Sequence, residues 1–129
     1  MTETLTIRQM CDAHQVTPRT LRFYEAKELL TPIRQGSKRL YTRKDRARLQ
    51  LILRGKRFGF SLEDIRQLLD MYDHNGSNQV QLERTYQLAQ DRIAQMKAQA
   101  AELSLAIQDL ETEMRGVAAT LAAFRKAAE

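Results

Sequence analysis

Two arginines three residues apart, Arg19 and Arg22, lie in the stretch Thr17-Pro-Arg-Thr-Leu-Arg-Phe-Tyr-Glu25. Helical spacing puts both on one face of a helix's first turns. Guanidinium groups placed there can pair with base edges or grip phosphates, and a short helix led by Thr and Arg suits a major groove. Thr17 can cap that helix, and Pro18 fits the first helical position, where no intrahelical N–H bond is lost. No other part of the sequence offers catalytic chemistry. It contains no Gly-rich phosphate loop, nucleophile motif or metal pair. His14 and His74 have no orienting partner for acid–base work, and Cys11 with two distant histidines cannot make a metal site. An enzyme is therefore not expected, and neither is a cofactor or metal.

Charge points the same way. The 129 residues carry a net +5 with a pI near 9.7. Residues 1–75 account for +6 and residues 76–129 for −1. Between Arg34 and Arg57 ten cations face one acid, Asp45. Such a one-sided run suggests a polyanion partner, the plainer alternative being a solvated charged face. No apolar run is long enough to span a bilayer, and the N-terminus lacks a secretory apolar region. A single cysteine cannot form an internal disulfide. The expectation is a cytoplasmic protein without membrane partners.

The elements that must position these residues are marked by their starts. Thr6-Ile-Arg-Gln9 is a capping box, and Thr42-Arg-Lys-Asp45 and Ser61-Leu-Glu-Asp64 resemble one with Asp in the acidic place. Gly59 suits a helix stop. These signals predict helices near 6–14, 18–28, 43–57 and 61–72. Leu21, Leu29, Leu30, Leu49, Ile52, Leu53, Leu62, Ile65, Leu68 and Leu69 recur at helical spacing as core. Cys11 fits the core as a small residue, and Phe23 fits the core better than a stack near DNA. Between the second and third helices, Pro32 and Gln35-Gly36-Ser37 provide turn chemistry. Ile33 and Leu40 would pack inward from two short strands, leaving Arg34, Lys38, Arg39 and Tyr41 as outer decoration of a β-hairpin wing. An ordinary loop is the other reading of this stretch.

His74-Asn-Gly-Ser-Asn78 marks a boundary, dividing a head at 1–75 from a tail at 76–129. In the tail, apolar residues step by four and three from Leu82, Tyr86 and Ala89 to Leu121 and Phe124. The middle of this seam is Ile93, Met96, Ala100, Leu103, Ile107, Leu110, Met114 and Val117. About six heptads signal a coiled coil, with a second copy of the chain as the natural partner. A parallel pair would set Ala100 against Ala100 in a thin layer. An antiparallel pair can set Ala100 against Leu103 and Ile93 against Leu110, and it brings the Arg92/Lys97 end towards Glu111/Glu113. We therefore expect an antiparallel homodimer. Tyr86 fits packing, or the border of a ligand pocket.

Val16-Thr-Pro-Arg-Thr-Leu-Arg-Phe-Tyr-Glu25, Thr6-Ile7, Leu29-Leu30, Arg39-Leu-Tyr41 and Phe58-Gly-Phe-Ser-Leu-Glu-Asp-Ile65 together resemble the MerR family of bacterial transcription regulators. The resemblance covers roughly the first 72 residues; the tail matches only in type. It implies a mainly α protein with a winged helix-turn-helix head followed by one long dimerising helix. It further implies a homodimer on a pseudo-palindromic promoter element in the bacterial nucleoid, distorting the DNA and tuning RNA polymerase. On the family pattern Thr17, Arg19, Thr20 and Arg22 match the recognition helix. Tyr24 matches a DNA-backbone contact, and Arg39 and Tyr41 match a wing that grips phosphate or the minor groove. Lys38 joins them on charge and location. The sequence departs from metal-sensing members, which carry cysteines at the end of the dimerisation helix; no Cys or His follows His74. The head faintly resembles short members controlling branched-chain amino-acid and acyl-CoA breakdown, but no effector is implied by the residues. An architectural, excisionase-like DNA-binding dimer is the alternative function, and a coiled-coil interaction protein with an incidentally basic head is a third.

Overall fold

The computed structural model describes residues 3–73 and 79–129. In chain order its elements are β1 (Leu5–Thr6), α1 (Ile7–His14), α2 (Pro18–Ala26), β2 (Ile33–Gln35), β3 (Lys38–Tyr41), α3 (Arg43–Arg57), α4 (Leu62–Asp73) and α5 (Gln79–Ala128). The chain is mainly α with one small antiparallel sheet, and the four head helices begin and end within two residues of the expected positions.

The caps explain those boundaries. At Thr6 the box closes in both directions, with Thr6 N–H donating to Gln9 Oε1 at 2.9 Å and Gln9 N–H to Thr6 Oγ1 at 3.2 Å. At Ser61 it closes with Asp64 at 3.1 and 3.3 Å. Thr42 makes only half a box. Its hydroxyl accepts from Asp45 N–H at 3.2 Å, but the Asp45 carboxylate turns away to accept from Thr31 N–H at 3.1 Å. Asp45 is thereby buried, 1% exposed, and fixes the chain entering the wing to α3. Gly59, at φ +80°, stops α3 as expected, with Phe60 N–H closing on Gly55 O at 3.0 Å. Gln15 (φ 55°) and Glu28 (φ 61°) end α1 and α2 with the same left-handed twist but without glycine.

The sheet has the order β1-β3-β2. Gly36 (φ +63°) opens a two-residue turn that pairs Gln35 with Lys38, Arg34 with Arg39 and Ile33 with Leu40. The hairpin is the expected wing. Its third strand, β1, was not foreseen, because two residues are too short to carry an alternating pattern. Alternation along β3 puts Arg39 and Tyr41 on one face and Lys38 and Leu40 on the other. This corrects the expected sidedness. Tyr41 is wholly buried, Ile33 is 46% exposed, and Leu40 is only half-buried. Helices α1 and α3 pack against β3 and cover the Tyr41 face, so that face is the inner one.

Met10, Leu21, Leu29, Leu30, Leu49, Ile52, Ile65 and Leu69 form the core with Tyr24 and Tyr41. Leu53 and Leu62 pack against its margin, and Leu68 is half-buried. Phe23, expected inside, is 46% exposed. Helices α3 and α4 meet at Gly55, where a Cβ would stand 2.8 Å from Ile65 Cγ1.

The chain divides into two compact units, 1–88 and 89–129. The opening turns of α5 belong to the first, where Thr85 Oγ1 donates to Met71 Sδ at 3.1 Å. The boundary expected at His74–Asn78 lies outside the described residues. No residue of α5 is buried, and its seam is exposed from Ile93 onward: Ile93 is 50% exposed, Leu103 62% and Leu110 59%. No described helix is long and apolar enough to cross a membrane.

Candidate nucleic-acid interface

Helix α2 divides cleanly by side. Leu21 and Tyr24 point into the core, while Arg19, Arg22, Phe23 and Ala26 share the outward side at 100° per residue. Thr17 Oγ1 accepts from Thr20 N–H at 3.2 Å and lies 2.9 Å from Thr20 Oγ1. The Thr17 hydroxyl is thus engaged in starting the helix, and Thr20 is braced beside it. Arg19 and Arg22 are exposed and make no hydrogen bond or ion pair among the described residues. Two unneutralised guanidinium groups on the open side of a capped helix can donate bidentately to a guanine edge or a phosphate.

Phe23 belongs to this outward side. Its ring lies 5.7 Å from that of Tyr24 and carries Lys27 Nζ 5.7 Å from its centroid. Phe23, expected in the core, shows that apolar character alone does not say which side of a helix is open; its place one residue before buried Tyr24 and two after buried Leu21 does. Tyr24 is 5% exposed, so its ring is core and any contact to DNA runs through the hydroxyl alone. Burial pushes that phenol's pKa up, keeping it a proton donor.

The wing carries Arg34 and Arg39 directly opposite each other on β2 and β3. Like charges so placed repel, and Glu25 at the end of α2 resolves the conflict. Its Oε1 accepts from Arg34 Nη2 and its Oε2 from Arg39 Nε, the latter at 2.7 Å. The Glu25 side chain is 14% exposed. Burial alone would raise its pKa, but the hydrogen bonds from Arg39 and Arg34 outweigh that and hold the carboxyl below the usual range. Arg39, expected as an outer contact, is thus paired and 24% exposed. Tyr41, also expected on the wing surface, is excluded from direct contact by complete burial, and burial followed by the nearby Glu25 charge raises its phenol pKa. Lys38, beside the turn, is exposed and has no ion pair among the described residues.

Other cations of the basic stretch hold the frame. Arg48 donates through Nε to Leu29 O at 2.8 Å and through Nη1 to Asp73 at 2.7 Å; Arg66 reaches Lys27 O at 2.6 Å. Both fasten the segment that follows α2. Arg43, Arg54, Lys56 and Arg57 make no ion pair among the described residues. Cys11 is half-buried against the core, and burial followed by Asp12 raises its thiol pKa, which makes it a poor nucleophile. No cluster of three potential metal ligands occurs among the described residues.

Comparison with known proteins agrees with this geometry. The model for the MerR HTH family regulatory protein matches residues 5–72, and that for the MerR DNA-binding region matches 46–112. HTH-type transcriptional regulator ZntR of Escherichia coli K12 is 34% identical over 99 residues, covering 75% of this chain and 69% of ZntR. HTH-type transcriptional activator mta of Bacillus subtilis is 39% identical over 66 residues, covering 50% of this chain but 26% of its own. Among solved structures, PbrR691 from Ralstonia metallidurans CH34, in complex with lead(II), superposes with a TM-score of 0.69 at 27% identity, covering 86% of each chain. HiNmlR, a MerR family regulator lacking the sensor domain and bound to promoter DNA, gives 0.62 at 27% identity, covering 82% of this chain and 80% of its own. A capped basic helix, a paired wing and a long helix therefore belong, in this chain, to a DNA-binding transcription regulator of the MerR family.

Proposed function

We propose that the protein binds a pseudo-palindromic promoter element as a homodimer and tunes transcription by RNA polymerase through distortion of the DNA between the two half-sites. The observation that carries this is the uncovered seam of α5. Apolar residues at heptad spacing along so long a helix need a partner, and a second copy offers a matching stripe. An antiparallel pairing supports two recognition helices related by a two-fold axis, which a palindromic element mirrors. HiNmlR bound to promoter DNA supports the choice of DNA. Arg19, Thr20 and Arg22 read the groove, with Thr17 shaping the helix and Phe23 beside them, while Lys38 and the hydroxyl alone of core Tyr24 reach the backbone.

The test is selection of bound duplexes from a random pool. A regulator enriches one two-fold element and prefers it by ~10³-fold or more over random DNA at physiological salt. An architectural dimer enriches none. Orientation is tested by Leu103→Cys in a Cys11→Ser background. Antiparallel copies crosslink through position 103, whereas crosslinking through Tyr86→Cys alone overturns that orientation.

A further inference from the structure

We propose that Glu25 is the positioning residue of the interface, a carboxylate on the recognition helix that holds one guanidinium from each strand of the wing, so that helix and wing meet DNA as one surface. The inference deepens the operator-binding reading above and rests on it.

Three observations carry it. Arg34 and Arg39 are cross-strand partners, an arrangement that an isolated hairpin would disfavour. Glu25 accepts from both through separate oxygens, so its two lone-pair faces tie β2 and β3 to the same turn of α2. Each arginine commits only one nitrogen, Nη2 of Arg34 and Nε of Arg39, among its described hydrogen bonds. The other N–H donors of each guanidinium stay available in a fixed direction. The Arg34 side chain is 61% exposed, so its remaining donors can reach a phosphate while it stays paired. The three groups together keep a net charge of +1, which is attractive to DNA but smaller than two free arginines would give.

The role has a signature that simple loss of structure lacks. Glu25→Gln keeps the shape and removes the charge. It leaves the wing with one more unneutralised positive charge and without its fixed offset from α2. Random DNA, which needs charge more than alignment, is then bound more tightly, and the salt dependence of that binding steepens by about 0.9 logarithmic units. The selected operator, which needs helix and wing in register, is bound less tightly. The ratio of operator to random-DNA affinity falls by about tenfold or more.

The experiment titrates the full-length protein against its selected operator and a random duplex of equal length, across a range of salt, for wild type, Glu25→Gln and Arg34→Gln. Opposite movement of the two affinities in Glu25→Gln supports the inference. Equal loss on both duplexes, or an unchanged ratio, overturns it. Arg34→Gln, at an exposed position safe for folding, supports the inference if operator affinity drops more than random-DNA affinity and overturns it if both drop alike. A wild type without operator preference overturns the operator-binding reading as well; a preference that survives intact in both variants overturns the Glu25 role alone.

Discussion

Ile107→Asp tests the role of α5 most directly. Ile107 is 49% exposed on a single chain, so a partner helix can cover about half of its surface. Completing that burial is worth about 1 kcal/mol per copy, given ~1.5–3 kcal/mol for burying such a side chain fully. An aspartate there forfeits this gain and must also lose water or take up a proton inside the seam. Even after relaxation that costs ~2–3 kcal/mol for each carboxyl. Two copies lose roughly 6–8 kcal/mol, a rise in dimer Kd of about 10⁴-fold or more at 1.4 kcal/mol per decade. Leu105→Asp is the matched control. Leu105 is 61% exposed and lies on α5 away from the seam, so it should leave the dimer intact. Sedimentation from nanomolar to 100 µM protein, with circular dichroism to follow helix content, separates the two. A Kd within tenfold of wild type for Ile107→Asp, or equal damage from Leu105→Asp, refutes the seam as the dimer interface.

Further predictions concern the head. Arg19→Ala should relax discrimination at one base position by ~1–3 kcal/mol in a competition assay across single-base variants, whereas uniform weakening would make Arg19 a phosphate contact. Gly55→Leu should destabilise by ~2 kcal/mol or more in urea unfolding, because even a Cβ stands 2.8 Å from Ile65 Cγ1. Glu28→Gly should stabilise by up to ~1 kcal/mol, since φ is 61° there; a loss instead would mean that the Glu28 side chain contributes contacts of its own. Acid should weaken the fold in two windows. His14 has its pKa lowered by burial and then by Arg46, so the stability of its neutral form is present above the ordinary imidazole pKa of ~6.5 and is lost as pH falls below it. Glu25 is held below its ordinary range, so its contribution is intact above ~pH 4.3 and lost as pH falls through its lowered value. His14→Gln should flatten unfolding free energy between pH 7 and 5 while leaving the lower window, and Glu25→Gln the reverse.

Most of the fold was legible because helix starts are written in short local codes. Thr6, Thr17, Thr42 and Ser61 mark all four head helices, and Gly59 marks one stop. The stops at Gln15 and Glu28 were less legible because left-handed residues other than glycine leave no signature. The uncovered heptad seam required only periodicity. What failed was sidedness. Tyr41 and Arg39 follow each other at every second position of β3, and whether that pair faces in or out depends on which side α1 and α3 pack against, which no pattern within the strand contains. Phe23 failed for the same reason on a helix. Asp45 failed because its carboxylate leaves its own cap for a backbone N–H fourteen residues away, a contact that no local pattern contains.

Charge in the head serves two separate purposes, and the distinction comes from pairing rather than composition. Ten cations between Arg34 and Arg57 look alike in the sequence. In the fold, Arg34 and Arg39 close on Glu25, and Arg48 and Lys44 close on Asp73. These groups set the geometry between α2, the wing, α3 and α4. Arg19, Arg22 and Lys38 have no such acid among the described residues, so their charge and hydrogen-bonding capacity face outward. A paired arginine resists motion but attracts DNA weakly, while an unpaired one attracts DNA without fixing anything. Specific recognition requires both, because an unpaired cation distinguishes sequences only when something else holds it at a constant offset from the next contact. In this head that offset is set at Glu25, which is hydrogen-bonded to both strands of the wing from the helix that carries Arg19 and Arg22.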